Sequence, residues 1–283
     1  MTESVETSPL HTSEPPQLPL SIQALLDAGV HFGHQTKRWN PKMAPFIYGV
    51  RNGVHILDLD QTAYLLARAF AFLEETVARG GHVLMVGTKK QAQEIIQEEA
   101  IRSGSSFVVH RWLGGTLTNF WTIKQGLERH RQLERMKEDG TYQQFSKKEV
   151  SRLEKERERF EKYLGGLKNM GSLPHALFVI DPALEQNAVR EAKKMCIPVV
   201  AITDTNCNPD QIDWMIPGND DAIRSIKLIT SCLTDAILAG TQQRKDTLNR
   251  EEGADRGVHG EQKGCARAEG IPSVQLVNRE RTA

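Results

Sequence analysis

Apolar and polar positions alternate in blocks along most of the chain. The runs HVLMVG, ALFVI and PVVAIT are continuously apolar and have the length of strands, and amphipathic stretches of helical spacing lie beside them. Continuous apolar strands that alternate with helices are typical of a parallel sheet covered on both faces. The pattern therefore predicts an α/β fold with helices on both sides of a parallel sheet.

The middle of the chain has a different pattern. Two highly charged stretches between residues 116 and 171 carry apolar residues at three- and four-residue spacing, and Gly140 separates them. Ser146 and Glu149 have the spacing of a capping box at the start of the second stretch. Because a short turn makes two such helices antiparallel, the sequence predicts an inserted antiparallel coiled-coil hairpin over residues 116–171.

The remaining segments predict one domain and two tails. Residues 21–115 and 172–240 hold the strand-and-helix pattern and are predicted to form the two halves of the α/β domain. Residues 1–20 contain four prolines among serine, threonine and glutamate, a composition that predicts a disordered arm. Residues 241–283 have scattered glycines and charges with few apolar residues, so we expect a flexible C-terminal tail.

Composition argues against several classes of protein. No apolar run approaches the ~20 residues of a membrane-spanning helix, and the first residues lack the basic cluster and apolar core of a secretory signal. The four cysteines lack the paired spacing of a disulfide framework or a zinc knuckle. We therefore expect a cytoplasmic protein with reduced thiols that is not bound to a membrane.

The formal net charge is zero, with 36 Lys and Arg residues against 36 Asp and Glu residues. Neutrality is unusual for a nucleic-acid-binding protein, but the charge is unevenly spread. Residues 31–51 carry four basic residues and no acidic one, and residues 124–168 carry 13 basic against 9 acidic residues. Residues 169–240 reverse the balance, with 5 basic against 9 acidic residues. Basic zones beside an acidic one fit an interface with RNA on one side.

A nucleotide- or sugar-phosphate-binding α/β enzyme is the alternative function. The chain lacks the glycine-rich loops GxGxxG and GxxxxGK[ST], and it lacks the nucleophile motif GxSxG. Lys89 and Lys90 follow a predicted strand, where they either contact a phosphate or form a solvated first helical turn. Asp181, Asp204 and Asp210 also follow strand ends, but such residues commonly cap a helix or turn, and no matched partner base or nucleophile is visible. We therefore predict no catalytic residue.

His31 and His34 form a histidine pair in the motif HFGH. A zinc ion needs three or four ligands with matched spacing, and no neighbouring Cys or Asp supplies the others. We therefore predict no bound metal and no other cofactor, and we expect a histidine pair that packs within the fold or faces RNA.

Two segments combine basic, aromatic and small residues. TKRWNPKM, residues 36–43, surrounds Trp39 with basic residues in a loop that contains a proline, and RWLGGTLTNFW, residues 111–121, places Arg111 and Trp112 beside two glycines. Cationic side chains pair with phosphates, glycines allow close backbone approach, and aromatic or guanidinium planes stack on bases. The two segments predict RNA contact, with a structural role as the alternative. Trp112 in particular could fill the junction between the sheet and the hairpin.

Seven motifs in a fixed order carry a resemblance to a known family. They are LLDAGVHFGHQTKRWNPKM, RNGVHILDLDQT, VGTKKQAQEII, RWLGGTLTNF, LGGLKNMGSLPHALFVID, VVAITDTNCNPD and IPGNDDAIRSI. From Leu25 to Gly240 the chain resembles the second protein of the small ribosomal subunit, in its bacterial form. The resemblance implies a Rossmann-like α/β domain with a protruding helical hairpin, and a structural role in translation without enzymatic activity.

The resemblance also implies partners. Members of this family bind ribosomal RNA between the head and the body of the small subunit, contact neighbouring ribosomal proteins, and help to dock the large first protein of that subunit. We therefore expect a location in the cytoplasmic small ribosomal subunit and no obligate homo-oligomer.

The matching motif positions imply which residues contact RNA. They are basic, aromatic and amide side chains, namely Lys37, Arg38, Trp39, Lys42, Arg51, Asn52, Lys89, Lys90, Arg111 and Asn119. Ala44 and Gln61 stand where many members have basic residues, and Asn208 stands where Asp is usual. We expect these departures to weaken individual contacts without changing the family.

Overall fold

A computed structural model of the chain describes residues 19–261. Almost all of the predicted disordered arm, and the end of the predicted tail, lie outside the described residues. The contacts between residues divide the chain into two units, Met1–Arg244 and Lys245–Ala283. The described residues of the second unit are helical. They belong to the last helix of the described chain, which begins in the first unit, and all other helices and strands lie in the first unit.

The apolar pattern predicts most of the helices and strands, but not all of them. Along the described chain they are α1 Ile22–Asp27, β1 Phe32–Gln35, β2 Ile47–Arg51, β3 Val54–Leu57, α2 Leu59–Ala78, β4 Val83–Val86, α3 Lys90–Ser103, β5 Ser106–Val108, α4 Phe120–Glu138, α5 Lys147–Leu164, β6 Ala176–Ile180, α6 Gln186–Lys194, β7 Val199–Thr203, β8 Trp214–Pro217 and α7 Ile223–Glu261. None of these helices is long and apolar enough to cross a membrane.

The larger sheet has five parallel strands in the order β5-β4-β6-β7-β8. The chain starts this sheet at β4, adds β5 on one side, and then adds β6, β7 and β8 on the other side. A parallel sheet of this kind needs helices on both faces, because each strand is buried on both sides. The predicted α/β fold class is confirmed.

Two apolar clusters cover the two faces of this sheet. Met85 and Phe178 point to one face and pack with residues of α2, α3 and α7. Leu84 and Leu177 point to the other face and pack with residues of α6 and the base of the helical hairpin. Phe178 is fully buried, and burial of a side chain of this size contributes about 2–3 kcal/mol to stability. The continuous apolar runs in the sequence reflect this burial on both faces.

A second, antiparallel sheet has the order β1-β3-β2. The apolar pattern gives little signal for β1 (FGHQ) and β2 (IYGVR), because both contain glycine and polar residues and have exposed positions, such as Tyr48 at 83 % exposure. Thr205, which follows β7, joins the two sheets. Its side-chain Oγ1 accepts a hydrogen bond from His34 N at 3.0 Å, and its carbonyl accepts one from Asn40 N at 2.8 Å. The segment TKRWNPKM is thereby held at the carboxyl edge of the parallel sheet.

The helices α4 and α5 pack against each other as a hairpin within the predicted range. Their ion pairs run in antiparallel order, with Lys137 Nζ 2.9 Å from Glu154 Oε1 and Arg129 Nε 3.1 Å from Glu156 Oε1. The capping box of Ser146 and Glu149 is present at the start of α5. The helical hairpin is therefore found in the structure, and the supercoiled packing of a coiled coil stays a prediction.

The helix α7 continues past Gly240, the last residue of the predicted α/β domain. The helix runs to Glu261, so the first part of the predicted flexible tail is helical. Gly240 serves a close helix crossing: a Cβ at this position would lie 2.4 Å from the carbonyl oxygen of Glu74 and 3.0 Å from Val77 Cβ on α2. A glycine that permits close packing resembles a helix stop when only the sequence is read.

Candidate functional site

The strand order creates a switch point at the carboxyl ends of β4 and β6. The chain leaves β4 towards one side of the sheet and returns to β6 on the other side, and in open α/β sheets such a point forms the crevice that binds ligands. Thr88 and Lys89 follow β4, and Asp181 follows β6. Asp204 follows β7 and Asp220 follows β8 at the same edge. The crevice is therefore lined by one cation and several carboxylates.

Lys89 lies within this crevice and its side chain is only 14 % exposed. Its Nζ is 2.8 Å from Asp181 Oδ2, 2.7 Å from Asp220 Oδ1 and 2.9 Å from Asp221 Oδ1. Burial by itself lowers the pKa of Lys89, but the carboxylates, led by Asp220, raise it above its ordinary value. Lys89 is therefore a permanent cation that neutralises neighbouring carboxylates, and its charge is not directed towards solvent.

His34, on β1, lies on the opposite side of the same cluster. Its Nδ1 is 2.7 Å from Asp204 Oδ2, and its Nε2 is 3.5 Å from Asp221 Oδ2. The hydrogen bond with Asp204 raises the pKa of His34. Burial, together with the charges of Asp181 and Asp204, raises the pKa of Asp220 to about 7.

His31 does not join this cluster. Its ring lies 4.0 Å from that of Phe32, and burial lowers its pKa. The two histidines of HFGH therefore separate, and only His34 meets carboxylates.

Of the three aspartates that the sequence places after strand ends, Asp181, Asp204 and Asp210, two make turn contacts. Asp181 Oδ1 accepts hydrogen bonds from Ala183 N and Leu184 N, each at 3.1 Å, and so caps the following turn. Asp204 Oδ1 accepts hydrogen bonds from the backbone N and the hydroxyl group of Thr205. The third, Asp210, is exposed and forms an ion pair with Lys42.

The segment of residues 36–43, here called the basic loop, presents its side chains to solvent. Lys37, Arg38, Trp39 and Lys42 are exposed, and the fully buried side chain of Met43 anchors the loop. The Trp39 ring also packs against the ring of His55, with the ring centroids 5.1 Å apart. Part of the indole therefore contacts the protein itself. The loop is thus a cationic surface on a fixed support.

Arg51 and Asn52 lie at the turn between β2 and β3, next to this surface in the same sheet. Both are exposed, and Asn52 and Gly53 have φ angles of 53° and 76°. Two residues with positive φ match the two-residue hairpin turn for which Asn-Gly is preferred. The dipeptide Asn-Gly is the sequence signal that could have located the β2–β3 hairpin.

The segment of residues 111–119, here called the glycine loop, is organised by Glu191 of α6. Glu191 Oε1 accepts hydrogen bonds from Trp112 Nε1 at 3.0 Å and Gly115 N at 2.8 Å. Its Oε2 accepts hydrogen bonds from Leu117 N at 2.9 Å and from Thr118 N at 3.2 Å. Burial opposes ionisation of this carboxyl, but these donors lower the pKa of Glu191 below its ordinary value.

The glycine loop combines a structural and an exposed part. Trp112 is buried in the apolar cluster between the sheet and the hairpin. This is the structural role that the sequence offers as the alternative to RNA contact. Arg111 and Asn119 are exposed at the ends of the loop. Lys90, at the start of α3, is also exposed, whereas its neighbour Lys89 is not. Sequence reasoning did not find Glu191, which looks like an ordinary surface residue of an amphipathic helix.

Comparison with known proteins identifies the family. The model of the family described as Ribosomal protein S2 matches residues 25–240 of the chain. The chain is also 70 % identical, over 233 residues, to the small ribosomal subunit protein uS2 of Sorangium cellulosum (strain So ce56). That alignment covers 82 % of this chain and 84 % of the relative. The chain belongs to the ribosomal protein S2 family, whose members are structural proteins of the small ribosomal subunit and not enzymes.

Proposed function

We propose that this protein binds ribosomal RNA through the basic loop, the β2–β3 turn and the exposed ends of the glycine loop. The observation that carries the proposal is the basic loop: Lys37 and Arg38 are exposed on a segment anchored by buried Met43 and by Thr205. Among the described residues, the ion pair of this loop involves Lys42 and leaves Lys37 and Arg38 available. Exposed cations on a fixed frame can pair with phosphates without first breaking internal ion pairs.

The proposed RNA contacts do not include Lys89. Its ammonium group would have to leave three carboxylates before it could reach a phosphate. The proposed set is therefore Lys37, Arg38, Trp39, Lys42, Arg51, Asn52, Lys90, Arg111 and Asn119, all of which are exposed.

The helical hairpin supplies a second proposed surface. Trp121, near the base of α4, is 69 % exposed, and the hairpin carries charged side chains along its length. Together with the family membership, this supports a role in contacting neighbouring proteins of the subunit, including the docking of its first protein. The proposed position is between the head and the body of the small subunit, in the cytoplasm.

The RNA proposal is tested by the double variant Lys37→Ala/Arg38→Ala in the full-length chain. Uptake into small-subunit particles that lack this protein is measured by gradient sedimentation at several salt concentrations. If both cations contact phosphates, uptake weakens and the logarithmic salt slope falls by about two units, one for each lost contact.

The matched control is Arg224→Ala/Lys227→Ala, which removes the same charge from exposed positions of α7. We expect this control to behave like the unaltered protein. Equal uptake and equal salt slopes for both double variants would contradict the proposed role of the basic loop.

The docking proposal has a separate test. Particles assembled with and without the chain are compared for their content of the first small-subunit protein by quantitative mass spectrometry. We expect that protein to be depleted when the chain is absent and restored when it is added back. Equal content in both particles would reject the docking role and leave RNA binding untouched.

A further inference from the structure

The crevice at the switch point contains more negative than positive charge. Asp181, Asp220 and Asp221 surround Lys89, and Asp204 is paired with His34. Four carboxylates therefore face one ammonium group and one imidazole. When all four carboxylates are ionised, Lys89 and a protonated His34 still leave two negative charges without a matching cation. Such an excess in a mostly buried cluster is the situation that a bound divalent cation relieves.

Asp220 supplies an independent observation that points to a ligand. This residue is fully buried, its Oδ1 is 2.7 Å from Lys89 Nζ, and its Oδ2 has no hydrogen-bond partner among the described residues. A buried carboxylate oxygen of this kind normally binds a donor or a metal ion. Lys89 bridges Asp220 to Asp181, and a carboxylate oxygen of Asp220 also lies close to ligand atoms of His34 and Asp204.

The ligand atoms on that side are close enough to share one ion. One atom each from His34, Asp204 and Asp220 lie within 4.8 Å of one another. Ligand atoms that share an ion at about 2.0–2.2 Å lie about 3–4 Å apart. His34 Nδ1 and Asp204 Oδ2, now 2.7 Å apart, would separate by about 1 Å to admit the ion between them. The second ring nitrogen of His34 is 3.5 Å from Asp221 Oδ2. A carboxylate behind a metal-binding imidazole orients the ring and raises its basicity.

The donor set indicates the class of metal. One imidazole nitrogen with two carboxylate oxygens suits Zn²⁺ and similar divalent transition ions, whereas Mg²⁺ and Ca²⁺ prefer oxygen ligands alone. Cys207 also lies near Asp181 and Asp220, but its Sγ is directed to Asn206 Oδ1 at 3.2 Å.

We infer that His34, Asp204 and Asp220 form a binding site for one divalent transition-metal ion, with Zn²⁺ as the preferred ion. The three ligands come from β1, from the turn after β7 and from the segment after β8. The ion therefore joins the antiparallel sheet to the carboxyl edge of the parallel sheet, beneath the basic loop. Its role is structural, and Zn²⁺ binding by the isolated chain does not depend on the proposed RNA contact.

The proposed site differs from the expectation that the sequence gives for the motif HFGH. His34 has no neighbouring Cys or Asp along the chain, so the sequence predicts no bound metal. The fold brings the missing carboxylates from residues that follow β7 and β8, about 170 positions or more along the chain, as for the contact between His34 and Thr205. His31, the other histidine of the motif, is not a ligand.

The test is calorimetric titration of the full-length, chelator-treated protein with ZnCl₂, with metal content checked by elemental analysis. We expect the unaltered protein to bind Zn²⁺ and to melt at a higher temperature when Zn²⁺ is present. Loss of a ligand should weaken the affinity of this site at least tenfold, a typical effect at metal sites. The two test variants are His34→Gln, at a partly exposed position of β1, and Asp220→Asn, which keeps the shape of the side chain.

Two controls and a spectrum make the outcome decisive. Asp210→Asn removes an exposed carboxylate outside the cluster, and His130→Gln alters another group of possible ligands in the hairpin, His130 with Glu134 and Glu161. We expect both controls to bind like the unaltered protein. If Asp220→Asn does not fold, the Co²⁺ absorption spectrum of His34→Gln decides, because loss of a nitrogen ligand changes it. Absence of Zn²⁺ binding at 100 µM metal, or equal binding by the unaltered protein and His34→Gln, would overturn the inference.

Discussion

The dipeptide Thr-Lys occurs in the basic loop and at the switch point, and its lysine has opposite surroundings in the two places. Lys37 follows Thr36 on an exposed loop, whereas Lys89 follows Thr88 and lies among Asp181, Asp220 and Asp221. One cation is available to an external phosphate, and the other is neutralised within the protein. Burial and ion-pair partners, and not residue type, therefore distinguish a lysine that can reach an external phosphate from one that is neutralised within the protein.

The same comparison explains how a protein with no net charge can present a cationic surface. Four carboxylates of the C-terminal half gather at the crevice, where they surround Lys89 and His34. The cations of the basic loop lie beyond this cluster and are exposed. Zero net charge in the sequence thus does not mean that each surface is neutral.

The largest expected effect is on stability, and it comes from Lys89→Met. This change leaves Asp181 and Asp220 buried without their cation, which should lower the free energy of unfolding by about 3–5 kcal/mol. The matched variant Lys37→Met should change it by less than about 0.5 kcal/mol, because Lys37 is an exposed residue. Urea unfolding of both variants in a chelator measures the difference, and equal unfolding midpoints would contradict it.

An intermediate effect is expected from Glu191→Gln in α6. The amide has one acceptor oxygen where the carboxylate has two, so some of the four N–H groups of the glycine loop lose their partner, at a cost of about 1–3 kcal/mol. Amide hydrogen exchange of Gly115 and Leu117 should become at least tenfold faster. The exposed Glu94→Gln in α3 is the control and should leave both rates unchanged. Unaltered exchange in Glu191→Gln would show that Glu191 does not organise the loop.

The contribution of Glu191 should also depend on pH. Because its pKa is lowered in the folded protein, its stabilising effect is fully present above its unfolded pKa, about 4.5, and is lost as the pH falls through the lower folded value. The stability difference between the unaltered protein and Glu191→Gln should therefore be constant near neutral pH and shrink below about pH 4.5. Denaturant unfolding at a series of pH values measures it, and a difference that grows on acidification would contradict the sign.

The smallest effect on stability is expected from Asp210→Asn. This residue pairs with Lys42 at the surface, and exposed ion pairs contribute about 0–1 kcal/mol. Removal of the carboxylate should leave stability nearly unchanged while strengthening RNA binding, because Lys42 is then available to phosphate. Filter binding with small-subunit RNA at fixed salt tests this expectation, and weaker binding by Asp210→Asn would show that the ion pair holds Lys42 in its RNA-binding position.

The parallel sheet could be predicted from the sequence because its strands are buried on both faces. Val86, Phe178 and Val200 lie in continuous apolar runs that no other element explains as well. The strands β1 and β2 are short, contain glycine and are partly exposed, so their pattern resembles a loop. Only the Asn-Gly turn after β2 carried a local signal for the hairpin.

The candidate site was less predictable because its contacts join distant segments. The exposed cations of the basic loop could be found from composition, since exposure and charge are local properties. Glu191 could not, because Gly115 N lies 76 positions away along the chain. The environment of Lys89 depends on three carboxylates from two later segments, and only the order of the strands brings them together.

The most direct test of the central claim is photo-crosslinking within assembled small subunits. A photoreactive amino acid replaces Arg38 in one full-length variant and Arg224 in a second, and both are assembled into particles and irradiated. The account predicts crosslinks from position 38 to ribosomal RNA and few or none from position 224. Crosslinks from position 38 only to protein, or equal RNA crosslinking from both positions, would contradict the claim that the exposed cations of the basic loop contact RNA.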